Sequence, residues 1–209
     1  MRLTPVALAA VLLLAPLSAC SDDEPTTSPT PTASATTSQT PTTDAPPATS
    51  ADLVVAPGRI GAAEVGMSQD DAVATGLFDA DVEYQDEVCE GIDLLRWKEQ
   101  FEGVDVLTDE DGTIVSMGVW DAAGPRTEVG FGVDTTFDEL IEGFGEQLSE
   151  PESAGYGQVG VWVQDGQKWL GFLFGQAESV EQLGNDHGQQ VTFMEVTTDH
   201  KPALIRDGC

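Results

Sequence analysis

Between residues 137 and 144 the apolar side chains return at three- and four-residue spacing. Phe137, Leu140, Ile141 and Phe144 therefore predict an amphipathic helix, with Asp134 as its cap. A shorter, poorer helix is expected over 69–74 (Gln-Asp-Asp-Ala-Val-Ala), behind Ser68 as N-cap and with Gly76 near its end. Elsewhere the period drops to two, and Asp111-Gly112 and Asp165-Gly166 read as hairpin turns. If Asp165 and Gly166 are the two turn residues, Trp162 lies opposite Trp169 and Gly160 opposite Gly171. Val159, Val161, Val163, Leu170, Phe172 and Phe174 then share the other face. The same rule at Asp111-Gly112 places Val104, Val106, Val115, Met117 and Val119 together, with Asp105, Leu107, Ser116, Gly118 and Trp120 opposite. A slip of one residue would exchange the two faces.

These elements recur. Gly61 to Ser68 followed by a helix opens the first set, and Val129 to Asp134 followed by a helix opens the second. The closing strands, Ile114–Val119 and Val191–Val196, also look alike. The expectation is an α+β domain over 51–209, made of two tandem helix-plus-antiparallel-sheet repeats. They span about 58–122 and 126–200, with a C-terminal tail at 201–209. Leu94-Leu95-Arg96-Trp97-Lys98 departs from the pattern, because Arg96 and Lys98 occupy positions that are apolar in the second copy.

The first quarter of the chain has no such periodicity. Val6 to Ala19 is an almost unbroken apolar run behind Arg2, too short to span a ~30 Å hydrocarbon layer but of the length of an export signal. It ends in Leu17-Ser18-Ala19-Cys20, which resembles the lipobox of bacterial lipoproteins. The resemblance implies a signal peptide over 1–19 and a diacylglyceryl group on the Cys20 thiol. The acylated chain, palmitate among its usual fatty acids, would then be held on the extracytoplasmic side of the cell membrane. Ordinary secretion with an incidental Cys is the alternative, and Leu17 fits its cleavage rule poorly. Residues 21–50 are Ser, Thr, Pro and Ala with a few acids. They have too little apolar surface to offset ordering entropy, so 20–50 is expected to act as a disordered stalk.

Within the folded part, the two helix-then-strand units, introduced by Gly66-Met67-Ser68 and less closely by Gly132-Val133-Asp134, resemble the beta-lactamase inhibitory protein-like and SmpA/OmlA-type domains. That resemblance implies a small extracytoplasmic module that binds other proteins, of a type often carried on lipoproteins.

Charge narrows the list of partners. With 37 acidic and 8 basic residues the net charge is -29, which excludes nucleic acid and disfavours anionic head groups. The acidity fits either a cationic partner or plain solubility. Assigning Cys20 to lipid leaves Cys89 and Cys209, which are expected to form one disulfide in an oxidising compartment. Free thiols or a redox pair are the alternatives.

No metal or cofactor is expected. His187 and His200 stand in polar stretches, and no zinc or nucleophile signature is present. Asp109-Glu110-Asp111-Gly112 fails as a calcium loop, since its first and twelfth positions would be Leu107 and Gly118. No enzyme motif stands out.

Trp120, Trp162 and Trp169, on the face opposite the aliphatic one and beside Gly160 and Gly171, are the candidate binding surface of a non-catalytic module. Ordinary burial of these tryptophans, in a second layer or beneath the C-terminal tail, is the competing expectation. The functional alternative, from another class, is an envelope hydrolase or small-molecule sensor with a concave polar pocket.

Overall fold

A computed structural model describes residues 49–80 and 87–204, with the backbone alone at 87–89. In chain order the elements are β1 (Val54–Ala56), β2 (Arg59–Ile60), β3 (Ala63–Glu64), α1 (Gln69–Ala74), β4 (Glu87–Cys89) and β5 (Ile92–Leu94). Next come β6 (Val104–Asp109), β7 (Ile114–Val119), β8 (Arg126–Thr127), α2 (Phe137–Phe144) and β9 (Glu152–Gly155). The last are β10 (Gln158–Asp165), β11 (Lys168–Phe174), α3 (Val180–Asn185) and β12 (Phe193–Thr198). The described part is therefore mixed α+β and dominated by sheet, with three short helices.

The strands form two sheets. The smaller has the order β3-β2-β1-β8, and the larger β4-β5-β6-β7-β12-β11-β10-β9. In the larger sheet every pairing is antiparallel. β7 and β12, the strands expected to close the two repeats, pair with each other through Met194–Val119 and Val196–Met117. Both halves of the chain thus share one sheet.

The aliphatic face of that sheet carries the core. Val104, Val106, Met117, Val119, Val159, Val161, Val163, Leu170, Phe172 and Phe174 are all buried in one cluster with Phe137 and Leu140 of α2. Val115 is the exception. A bulge between Leu107 and Thr108 lets Thr108 pair with Ile114, so Ile114 becomes buried and Val115 is only half-buried.

The second hairpin also differs from expectation. Asp165 pairs with Lys168, so Gly166 and Gln167 make the turn, and Trp162 faces Gly171 rather than Trp169. Moving the turn by one residue shifts the pairing by two. Side-chain parity is kept, and each residue stays on its expected face.

All three α-helices described are capped by a hydroxyl, from Ser68, Thr136 and Ser179. Ser68 Oγ accepts from the Asp71 amide at 3.2 Å, as its position predicts. For α2 the cap is Thr136 and not Asp134. Thr136 and Glu139 form a reciprocal capping box, in which Glu139 Oε2 accepts from the Thr136 amide at 2.7 Å. Asp134 instead adopts a positive φ of 80° and pairs with Arg126 at 2.9 Å. The Thr-x-x-Glu spacing satisfies two amides at the helix start, which a single Asp two residues earlier cannot do.

Candidate functional site

The second face of the large sheet is bare of side chains at Gly160 and Gly171, and two groups fill the space. A Cβ built on Gly160 would come within 2.8 Å of Trp162 Cη2, and one on Gly171 within 2.9 Å of Trp162 Cδ1. The indole therefore lies across both glycines. The two methyls of Leu204 close on the same positions, at 2.6 Å from the first Cβ and 2.8 Å from the second. Trp162 and Leu204 form a small second core with Ala154, Leu173 and Phe193, and Trp169 packs half-buried at its margin.

Polar contacts fix this cover. Trp162 Nε1 donates to the Pro202 carbonyl at 3.1 Å. The Leu204 amide donates to Glu195 Oε2 at 2.8 Å, and Ser116 Oγ donates to Glu195 Oε1 at 2.6 Å. Lys201 Nζ stands 4.2 Å from the Trp162 ring centroid and pairs with Glu152 at 2.7 Å. The expected Trp120–Trp162–Trp169 surface is thus not one open surface. Trp162 is buried beneath residues 201–204, because two glycines make room for both the indole and Leu204.

Trp120 is different. It is 53% exposed and lines a cleft of about 650 Å³. Its amide donates to the Gly103 carbonyl at 3.1 Å, and its indole Nε1 donates to Asp105 Oδ1 at 3.2 Å. The inner wall is the segment that departed from the repeat pattern. Leu95 and Trp97 turn inward while Arg96 and Lys98 face the rim, so Trp97 is a core residue at 6% exposure. Its ring packs against Phe78 at 4.3 Å and Phe101 at 6.0 Å between centroids. Among the described residues, the Trp97 indole nitrogen is buried without a hydrogen-bond partner. Sequence reasoning left Trp97 out of the candidate residues, and the alternation Leu95-Arg96-Trp97-Lys98 was the available signal for it.

The other sequence candidates fall as follows. Cys20 and Cys209 lie outside the described residues, as does the Cys89 side chain, and with them the lipid attachment and the disulfide. His187 bridges α2 to the segment after α3, with Nδ1 2.8 Å from Asp138 and its ring edge-on to Phe137. Asp109 organises a turn by accepting from the amides of Asp111 and Thr113. Among the described residues there is no group of three or more potential metal ligands. No helix among them is long and apolar enough to cross a membrane. Among the described residues, the carboxyls of Asp52 and Glu139 are held below the usual carboxylate range. In each the main cause is hydrogen bonding from its capping threonine, Thr49 or Thr136. No family model, curated protein or solved structure matches the chain.

Proposed function

We propose that the chain is a lipid-anchored, extracytoplasmic and non-catalytic binding module whose contact site is the Trp120 cleft. The anchor rests on Cys20 and the apolar run that precedes it, and the stalk over 20–50 would lift the domain clear of the membrane. The observation that carries the binding site is the large, half-exposed indole of Trp120, held at both its amide and its ring nitrogen beside a cleft of about 650 Å³. A fixed aromatic of this kind gives contact area at low entropic cost. The aromatic sheet face is thereby narrowed to one tryptophan, since Trp162 serves the second core.

The tandem arrangement belongs to the same proposal. In each half a short helix with a hydroxyl cap precedes four strands, α1 before β4–β7 and α2 before β9–β12, the second half adding α3 between β11 and β12. A diverged duplication accounts for that order and supports the likeness to beta-lactamase inhibitory protein-like and SmpA/OmlA-type binding modules. The partner would be an envelope protein or ligand. The small-molecule sensor is the second reading, favoured by the concavity of the same cleft.

Two measurements test these statements. Metabolic labelling with palmitate should mark the wild-type chain and not Cys20→Ser; equal labelling of the two would remove the anchor. Capture of envelope components by the full-length protein should fall in Trp120→Ala and persist in a charge change at the opposite end of the sheet, such as Asp165→Asn in the β10–β11 turn. Capture that is indifferent to Trp120 would remove the site.

A further inference from the structure

We propose that the glycine-floored groove over β10, β11 and β12 is a peptide subsite, filled in cis by residues 201–204. Its ligand in trans is an extended segment of the type basic, proline, any residue, leucine. The groove is separate from the Trp120 cleft, and three features lead to it.

The first is the way the segment is held. Residues 201–204 belong to no strand, and side chains of the sheet grip their main chain instead. Trp162 Nε1 donates to the Pro202 carbonyl at 3.1 Å, and Glu195 Oε2 accepts from the Leu204 amide at 2.8 Å. Ser116 Oγ, 2.6 Å from Glu195 Oε1, fixes that carboxylate in place. A donor and an acceptor aimed at main-chain groups serve any extended chain, whichever molecule supplies it.

The second is selectivity, which side-chain pockets provide. Glu152 meets Lys201 Nζ at 2.7 Å, and the Trp162 ring centroid lies 4.2 Å from the same nitrogen, so the first position asks for a cation. Pro202 is buried and Ala203 exposed, while Leu204 fills the floor left by Gly160 and Gly171. In a chain of net charge -29, a basic ligand is also the one that the field draws in.

The third is the ease of exchange. Leu204 holds a φ of 60°, and Asp199, where the chain leaves β12, holds 68°. The left-handed conformation is costly for a residue such as leucine, and that cost is recovered when the segment lifts away. Lifting breaks no ladder between strands. A ligand in trans therefore competes with a strained occupant held at a few points.

The test uses full-length chains with ¹⁵N-labelled tryptophan indoles. The probe is the capped peptide His-Lys-Pro-Ala-Leu-Ile, which copies residues 200–205. It is added to wild type and to Leu204→Ala, whose own segment has lost its aliphatic anchor. In Leu204→Ala the peptide should shift the Trp162 indole signal saturably, leave Trp120 unmoved and raise the melting temperature. Binding to wild type should be about tenfold weaker or more, because the cis segment occupies the groove. Peptides with glutamate in the lysine position or alanine in the leucine position should lose about tenfold or more. Should Leu204→Ala fail to fold, Lys201→Ala, which removes only the exposed ion pair and its ring contact, takes its place with the same expectations. The proposal is overturned if the peptide leaves Trp162 unmoved in the folded variant, or if the alanine-substituted peptide binds equally well. Envelope capture that ignores Trp120 would remove the cleft as a site and leave this groove standing.

Discussion

Trp162 and Leu204 share one footprint: each reaches over both Gly160 and Gly171, and the carbonyl two residues before Leu204 takes the Trp162 indole proton at 3.1 Å. Residues 202–204 are therefore packed onto the folded sheet and are not an appendage to it. Leu204 holds a positive φ of 60° and is 1% exposed, so a backbone strain is tolerated to place this side chain. Truncation to Leu204→Ala should destabilise the domain by about 2–4 kcal/mol, in the range of buried leucine deletions. Urea denaturation measures it. A loss near zero would mean that the tail contributes no packing.

The glycines give a complementary case. Gly160→Ala would place a methyl 2.6 Å from Leu204 and 2.8 Å from Trp162. Overpacking of this kind costs about 1–3 kcal/mol. Because the clash is partly with Leu204, combining Gly160→Ala with Leu204→Ala should cost less than the two changes added separately. A double-mutant cycle with no coupling would contradict the shared footprint.

The strands and their faces were legible in the sequence to different depths, and the geometry says why. In the β10–β11 hairpin a turn displaced by one residue changed partners without changing faces, so the core residues were readable although the Trp162–Trp169 pairing was not. In β6–β7 a bulge defeated the period at Val115, and nothing local to the sequence marks that bulge. The small sheet was unreadable because β2, β3 and β8 have two residues each, too few to show alternation. Of the candidate tryptophans, Trp120 and Trp162 carry the same sequence signal. Only the long-range return of Pro202–Leu204 separates an exposed one from a buried one.

Glu195 is a buried carboxylate with two donors, Ser116 Oγ and the Leu204 amide, and it ties β12 to β7 and to the tail. Glu195→Ala removes the acceptor from both and leaves two buried donors unmet, at a cost of about 1–3 kcal/mol for each unmet group. Glu195→Gln keeps one carbonyl oxygen and should lose less. The order Gln above Ala is read from thermal melts, and faster proteolysis at the C-terminus should accompany the Ala change. Equal melts for all three chains would exclude the tie.

The capping box of α2 predicts a pH dependence with a definite sign. Hydrogen bonds to the Thr136 amide and then to its hydroxyl lower the Glu139 pKa from its ordinary 4.5, with a smaller contribution from Arg126. A carboxyl whose folded pKa is depressed binds fewer protons in the folded state than in the unfolded one at intermediate pH. Its contribution to stability is therefore complete above the unfolded value and disappears as pH falls through the folded one. Glu139→Gln should then be less stable than wild type at neutral pH, with the difference closing on acidification from about pH 5 downward. Side-chain carboxyl NMR should place the Glu139 titration in wild type below that of exposed glutamates, and Thr136→Val should move it upward. A Glu139 midpoint at the ordinary value in wild type would show that the box does not form in solution.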